Sequence, residues 1–269
     1  MKYRESKPSL PFAGYIKCFW SIEHEAVGQA PPEPVLPDGC PEIVFNLADR
    51  FERLHTNGEV ETQAAAIVSG QIRSRILIRP AGAVNLFGVR FQPAGAYAFF
   101  GVPLNELTDR VDSLFDVIRL HTLDQTIRDA ETFEDRTSIF EAEMLRLLSH
   151  RSLADPIAIA ATQMIAASSG QISVTRLTEH FGVTERKLER LFNKSVGVSP
   201  KLFSRIVRFR NVVRQIEAAD SPDLLDTALE FGYYDQSHMI RDFNEFAGTS
   251  PLNYFDETHR ISELFTSSA

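Results

Sequence analysis

Cysteine is scarce. Cys18 and Cys40 are the only two in 269 residues, so no disulfide framework holds this fold and a reducing compartment suits it. The two lack zinc-ligand spacing, and none of the seven histidines (24, 55, 121, 150, 180, 238, 259) lies within four residues of another. That excludes a metal site built locally but leaves open one assembled from distant residues; no cofactor is expected. No apolar run approaches the roughly 18 residues of a membrane span. The start, Met1-Lys2-Tyr3-Arg4-Glu5, runs into proline and polar residues without an apolar stretch, so no secretory leader is expected and the location read from the sequence is cytoplasmic.

What is present predicts two domains from length alone. The net charge of −8 argues at first against a polyanionic partner, but it is unevenly spread. Residues 1–170 carry 16 bases and 22 acids, residues 185–214 carry nine bases and two acids, and residues 217–257 carry one base and ten acids. A basic stripe on an acidic protein is the footprint expected for phosphate binding, although a solvated helix face carries the same charge.

Residues 10–92 read as strands. Segments 15–24, 42–47, 76–78 and 85–91 are apolar or β-branched, separated by turn signals at Pro37-Asp38-Gly39, Asn57-Gly58, Ser69-Gly70 and Pro80-Ala81-Gly82. Short strands so punctuated predict an antiparallel sandwich or barrel. After Pro93 the period becomes helical: 94–100 and 114–120 read as short helices, 126–149 as one or two longer ones. Further on, Asp155-Pro156, Ser199-Pro200, Ser221-Pro222 and Ser250-Pro251 each place a capping oxygen before a proline that has no N–H to lose. Thr184 and Asp235 add two helix starts after glycine turns, and 174–181 makes a seventh helix. The fold class is therefore α+β: a β-rich domain, then helices, then an all-α domain of about seven helices. The boundaries read as 1–122, a helical linker and dimerisation candidate at 123–153, a helical domain at 154–260, and a tail at 261–269.

Within the helical domain a pattern occurs twice. Phe181-Gly182 repeats as Phe231-Gly232 at an offset of 50; Arg190, Phe192-Asn193, Gly197 and Ser199-Pro200 repeat at an offset of 51. Each copy reads as helix, glycine turn, second helix, which is the helix-turn-helix whose second helix can enter a major groove. Leu188, Leu191, Phe192 and Val196 fall on one face of the first copy; Met239, Phe243 and Phe246 do so in the second. The helix between the copies, 199–218, has an apolar stripe of Phe203, Ile206, Val207, Val212, Val213 and Ile216. Its length of roughly 30 Å is close to the ~34–36 Å between successive major grooves on one side of a duplex.

These motifs resemble the AraC/XylS family of bacterial transcription regulators over about 155–258. The likeness rests on Phe181-Gly182-Val183-Thr184, Leu188-x-Arg190-x-Phe192, the run from Gly232 to Phe243 with Asp235, Ser237, Met239 and Arg241, and Gly248-Thr249-Ser250-Pro251. The resemblance implies two units reading tandem groove segments of double-stranded DNA. Base contacts then fall on Arg186, Glu189 and Arg190, and on Gln236, Ser237, His238 and Arg241; arginine can pair bidentately with guanine, glutamine with adenine. Thr184, Lys187, Lys194 and Arg208 are the phosphate candidates. Met239 replaces the aromatic common at its site, a tolerable core swap. The second unit departs more seriously, with Asp235, Asp242 and Glu245 flanking its reading helix, so the first unit is expected to dominate affinity.

The N-terminal half more loosely resembles the cupin-like barrels attached to such regulators, in Pro37-Asp38-Gly39-Cys40, Phe87-Gly88-Val89-Arg90-Phe91-x-Pro93 and Gly101-Val102-Pro103. The resemblance implies a small-molecule effector or a dimer contact there, RNA polymerase as a further partner, and no membrane. Trp20, Phe45, Arg90 and Phe91 are candidates for an effector pocket, with Arg90 holding an anion; plain core aromatics and a paired arginine fit the same residues. Two other readings stay open. One is a cupin-type enzyme or alkyl-accepting sensor fused to a DNA-binding domain, though neither cysteine has a neighbouring base. The other is a degenerate helix-turn-helix module that binds protein.

Overall fold

Alternating apolar residues in the first half build strands whose two faces pack against different layers. The computed structural model describes residues 1–25, 31–118, 120–150, 152–218 and 223–256. The strands are β1 (Lys2–Ser6), β2 (Ile16–His24), β3 (Glu33–Val35), β4 (Glu42–Asn46), β5 (Phe51–Leu54), β6 (Val60–Thr62), β7 (Ala66–Ser69), β8 (Ile76–Pro80), β9 (Val84–Phe91) and β10 (Val111–Ser113). They pair antiparallel into two sheets, ordered β1-β2-β9-β4-β7-β10 and β3-β8-β5-β6.

Side chains alternate across the larger sheet. Phe19, Phe45, Phe87 and Phe91 join the core beneath the helices, whereas Cys18, Trp20, Ile22 and Leu86 join a smaller core with Phe51 and Ile78 of the second sheet. Trp20 sits opposite Gly88 in the ladder, and a Cβ there would run into its indole ring.

Four helices follow: α1 (Ala96–Phe100), α2 (Leu114–Val117), α3 (His121–Asp129) and α4 (Phe133–Leu148). The 126–149 stretch is thus two helices, and α4 restarts at Thr132, whose side chain accepts from the Asp135 N–H. The sequence leaves open whether this region covers the β layer or pairs between chains. Here its buried face of Phe133, Phe140, Met144 and Leu147 joins the sheet core. Phe140 stacks on Phe99 with centroids 5.0 Å apart and meets Phe19 edge-on.

The helical half contains α5 (Pro156–Ala167), α6 (Val174–Phe181), α7 (Glu185–Ser195), α8 (Pro200–Glu217), α9 (Leu224–Glu230), α10 (Gln236–Ala247) and α11 (Pro251–Asp256). Asp155, Ser199 and Ser250 cap as their spacing predicts, accepting from the N–H groups of Ile157, Leu202 and Asn253. Ser221-Pro222 lies outside the described residues, and Asp223 caps α9 by accepting from Leu225 and Asp226. The 261–269 tail, and the last residues of the 154–260 span, also lie outside them.

One core runs through both halves. Phe87, Phe91, Leu104 and Phe140 share a cluster with Leu188, Phe192, Val196 and Phe203. A second cluster gathers Ile206, Phe209 and Val213 of α8 with Met239, Phe243 and Phe246 of α10.

Candidate nucleic-acid interface

The first unit is α6, a turn at Gly182 and α7. Gly182 has φ 61, a left-handed conformation that a residue with Cβ adopts only under strain. Thr184 then starts α7 by accepting from the Lys187 N–H at 3.3 Å. Leu188, Leu191, Phe192 and Val196 face inward. Thr184, Arg186, Lys187, Glu189, Arg190, Asn193 and Lys194 are exposed. Among the described residues, none of Arg186, Lys187, Arg190 and Lys194 forms an ion pair. This face forms one wall of a groove of about 670 Å³, and Pro103 and Asn105 of the N-terminal half line its other side. Lys194 Nζ lies 5.1 Å over the Tyr97 ring, within cation–π range.

The second unit is α9, a turn at Gly232 with φ 74, and α10. Asp235 caps α10 by accepting from the His238 N–H at 2.7 Å. Ser237 and Arg241 are exposed, while Gln236 and His238 are half-buried. The His238 ring meets Tyr233 edge-on at 5.1 Å. The acids of this unit are partly turned away from its outer face. Asp242 is buried and accepts from Arg205 of α8 at 2.8 Å, and Glu245 accepts from the same guanidinium at 2.6 Å. Burial pulls the Arg205 pKa down, but the hydrogen bonds to Glu245 and Asp242 more than reverse it, so this arginine stays charged.

The basic stripe therefore divides. Arg205 is held by acids. Arg208 lies 5.0 Å over the Tyr233 ring and points to the Gly232 carbonyl at 3.4 Å, so it braces the second turn. Arg210 is buried, and burial lowers its pKa. The charge left facing outward is concentrated on α7.

The four N-terminal candidates do not surround one space. Trp20 and Arg90 are on the face toward the second sheet; Phe45 and Phe91 are on the face toward the helices. Arg90, only 1% exposed, holds the protein's own anions: Glu42 at 2.5 Å and Asp38 at 3.5 Å. Burial opposes its charge, but those carboxylates raise its pKa well above the usual arginine value. Cys18 and Cys40 are buried and free. Burial pushes the Cys18 thiol up to about 12 and raises Cys40 as well. Sequence reasoning missed the approach of Pro103 and Asn105 to α7, since nothing local links segments some eighty residues apart. It also missed the inward Asp242, whose place beside Phe243 and three residues from Met239 was the available signal. Among the described residues, no helix is long and apolar enough to cross a membrane, and no three His, Cys, Asp or Glu side chains gather to hold a metal ion.

Residues 177–257 match the family model described as a helix-turn-helix domain, and residues 4–112 match a domain of unknown function, DUF6597. No curated protein matches. Solved structures similar in fold include ToxT from Vibrio cholerae, at 9% identity over 99% of this chain and 99% of that one with a TM-score of 0.48. Another is the AraC-like transcriptional activator CuxR, at 14% identity over 81% of this chain and 88% of that one with a TM-score of 0.29.

Proposed function

We propose that this chain, whose residues 177–257 match a helix-turn-helix domain, is a transcription regulator of the AraC type that reads double-stranded DNA in a sequence-specific way, with α7 and α10 entering successive major grooves. The supporting observation is the outer face of α7: four exposed cations without acidic partners among the described residues. Arg186, Glu189 and Arg190 are assigned to base edges, as are Gln236, Ser237, His238 and Arg241 on α10. Thr184, Lys187 and Lys194 are assigned to phosphates. Arg208 is left out, because its guanidinium is already engaged at the second turn. The first unit supplies most of the affinity, since Arg241 is the only base on α10. Regulation enters through the N-terminal half, whose sheet shares a core with that first unit; a metabolite bound only by the native chain would raise its melting temperature.

The test is retention of duplexes from the chain's own upstream DNA, followed by salt titration. Specific binding weakens with a log–log slope of about −0.9 per phosphate neutralised. Arg190→Ala is expected to cost about 1–3 kcal/mol, and Arg241→Ala less. A larger loss for Arg241→Ala overturns the ranking. No retention at low salt overturns DNA binding and favours a protein-binding module.

A further inference from the structure

Both reading helices end against the N-terminal half. The Thr108 hydroxyl donates to the carbonyl of Gly197, just past α7, at 2.7 Å. The Arg75 N–H donates to the carbonyl of Phe246, in the last turn of α10, at 2.8 Å. That second carbonyl is among those a helix leaves without an intrahelical partner. Both fits are close. A Cβ at Gly197 would lie 3.0 Å from the Leu104 carbonyl oxygen, and one at Gly248 would lie 2.6 Å from Arg75 Nε.

The two segments that make these contacts, 70–75 and 104–110, are tied to each other by the Gly70 N–H, which donates to the Arg110 carbonyl at 3.3 Å, and by Asp109. The Asp109 N–H donates to the Gln71 carbonyl at 2.7 Å. Its carboxylate accepts from the Arg73 N–H at 2.7 Å and from Arg73 Nε at 2.6 Å. Asp109 has φ 61, in the left-handed region that non-glycine residues seldom occupy. Gln71 in turn donates to the Gly39 carbonyl at 2.7 Å, and a Cβ at Gly39 would lie 3.0 Å from the Phe203 ring of α8. One pair of linked loops thus touches the ends of α7 and α10, and reaches α8 through Gly39.

We propose that these loops are a clamp fixing the separation and angle between the two reading helices, with Thr108, Arg73 and Asp109 as its positioning residues. The proposal rests on the DNA-reading assignment above. A second reading helix adds affinity only when it arrives over its own segment, and loosening its placement lowers its effective concentration there. Inserting one base pair between the two DNA elements moves the second by about 3.4 Å and turns it by about 34°. A stiff holder rejects that change; a loose one tolerates it. The N-terminal half thereby becomes a determinant of which element spacing is bound, although it carries neither reading helix.

The test uses the full chain and a duplex that it selects from a random-sequence pool. Two derivatives are made: one keeps only the element bound by α7, the other has one base pair inserted between the elements. Thr108→Val keeps the side-chain shape without the hydroxyl, and Arg73→Met removes the guanidinium. Arg73 is largely solvent-facing and the half-buried Thr108 is replaced by a side chain of the same shape, so the double variant is expected to fold, which circular dichroism checks. Its affinity for the single element should stay within about twofold of wild type. Its affinity for the full duplex should fall about tenfold, and the penalty for the insertion should shrink. An unchanged insertion penalty overturns the clamp. So does an equal loss on single and full duplexes, which would make the loops mere supports of the first unit. Wild-type protein that retains no duplex sinks the DNA-reading assignment as well, so the two failures are distinguishable.

Discussion

At the scale of single residues, burial separates side chains that the sequence leaves equivalent. Phe140 makes ring contacts with Phe19, Phe91 and Phe99 and is fully buried. Phe140→Ala is expected to cost about 3–5 kcal/mol in chemical denaturation, since the rigid sheet beneath cannot collapse into the space. The thiols invite a different check. The thiolate is the reactive form, and Cys18 with a pKa near 12 stays protonated at neutral pH. Iodoacetamide at pH 8 should leave both cysteines of the native protein unmodified and label both after unfolding; rapid native labelling would restore the alkyl-accepting sensor. The sign of the pH effect follows. Because the folded pKa of Cys18 lies above its ordinary value of 9.0, its contribution to stability is complete below pH 9 and is lost as pH rises through about 12. The Arg90 ion pairs were not legible in the sequence, because Asp38 and Glu42 are some fifty residues away and only strand pairing brings Glu42 opposite Arg90.

At the scale of elements, legibility followed local signals. Residues 174–181 form a helix with the bounds that the sequence suggests, because a capping serine precedes it and a glycine follows. Strands of three or four residues escaped: Val60-Glu61-Thr62 is exposed at all three positions and owes its extended form to Phe51–Leu54 beside it, not to its own pattern. The outer face of α7 was readable because period and charge coincide there. The acidity of α10 was readable but the aim of its carboxylates was not, because sign says nothing about direction. Asp242 and Glu245 instead fasten α10 to α8 through Arg205. Arg205→Ala should therefore cost roughly 2–3 kcal/mol, below the ~3–5 typical of breaking a buried pair because Arg205 is partly exposed. Urea unfolding measures it. Asp242→Asn in the same background should recover part of the loss by removing the uncompensated charge; no recovery would place the cost in the Arg205–Phe246 contact instead.

At the scale of the whole molecule, the chain changes from strands to helices, but its packing does not divide there. Contacts such as Thr108 to Gly197 link residues 89 apart, and no local pattern announces them. The two clusters meet along α8: Phe203 belongs with the sheet and the first unit and Ile206 with the second, while Val207 packs back on the first cluster and Leu36 of the N-terminal half enters the second. On heating, α9 to α11 are therefore held to the strands through Leu36 and the Arg75–Phe246 hydrogen bond, and are expected to unfold with them. If the chain reads DNA as proposed, heat would then release both halves of an operator in one step rather than the distal half first.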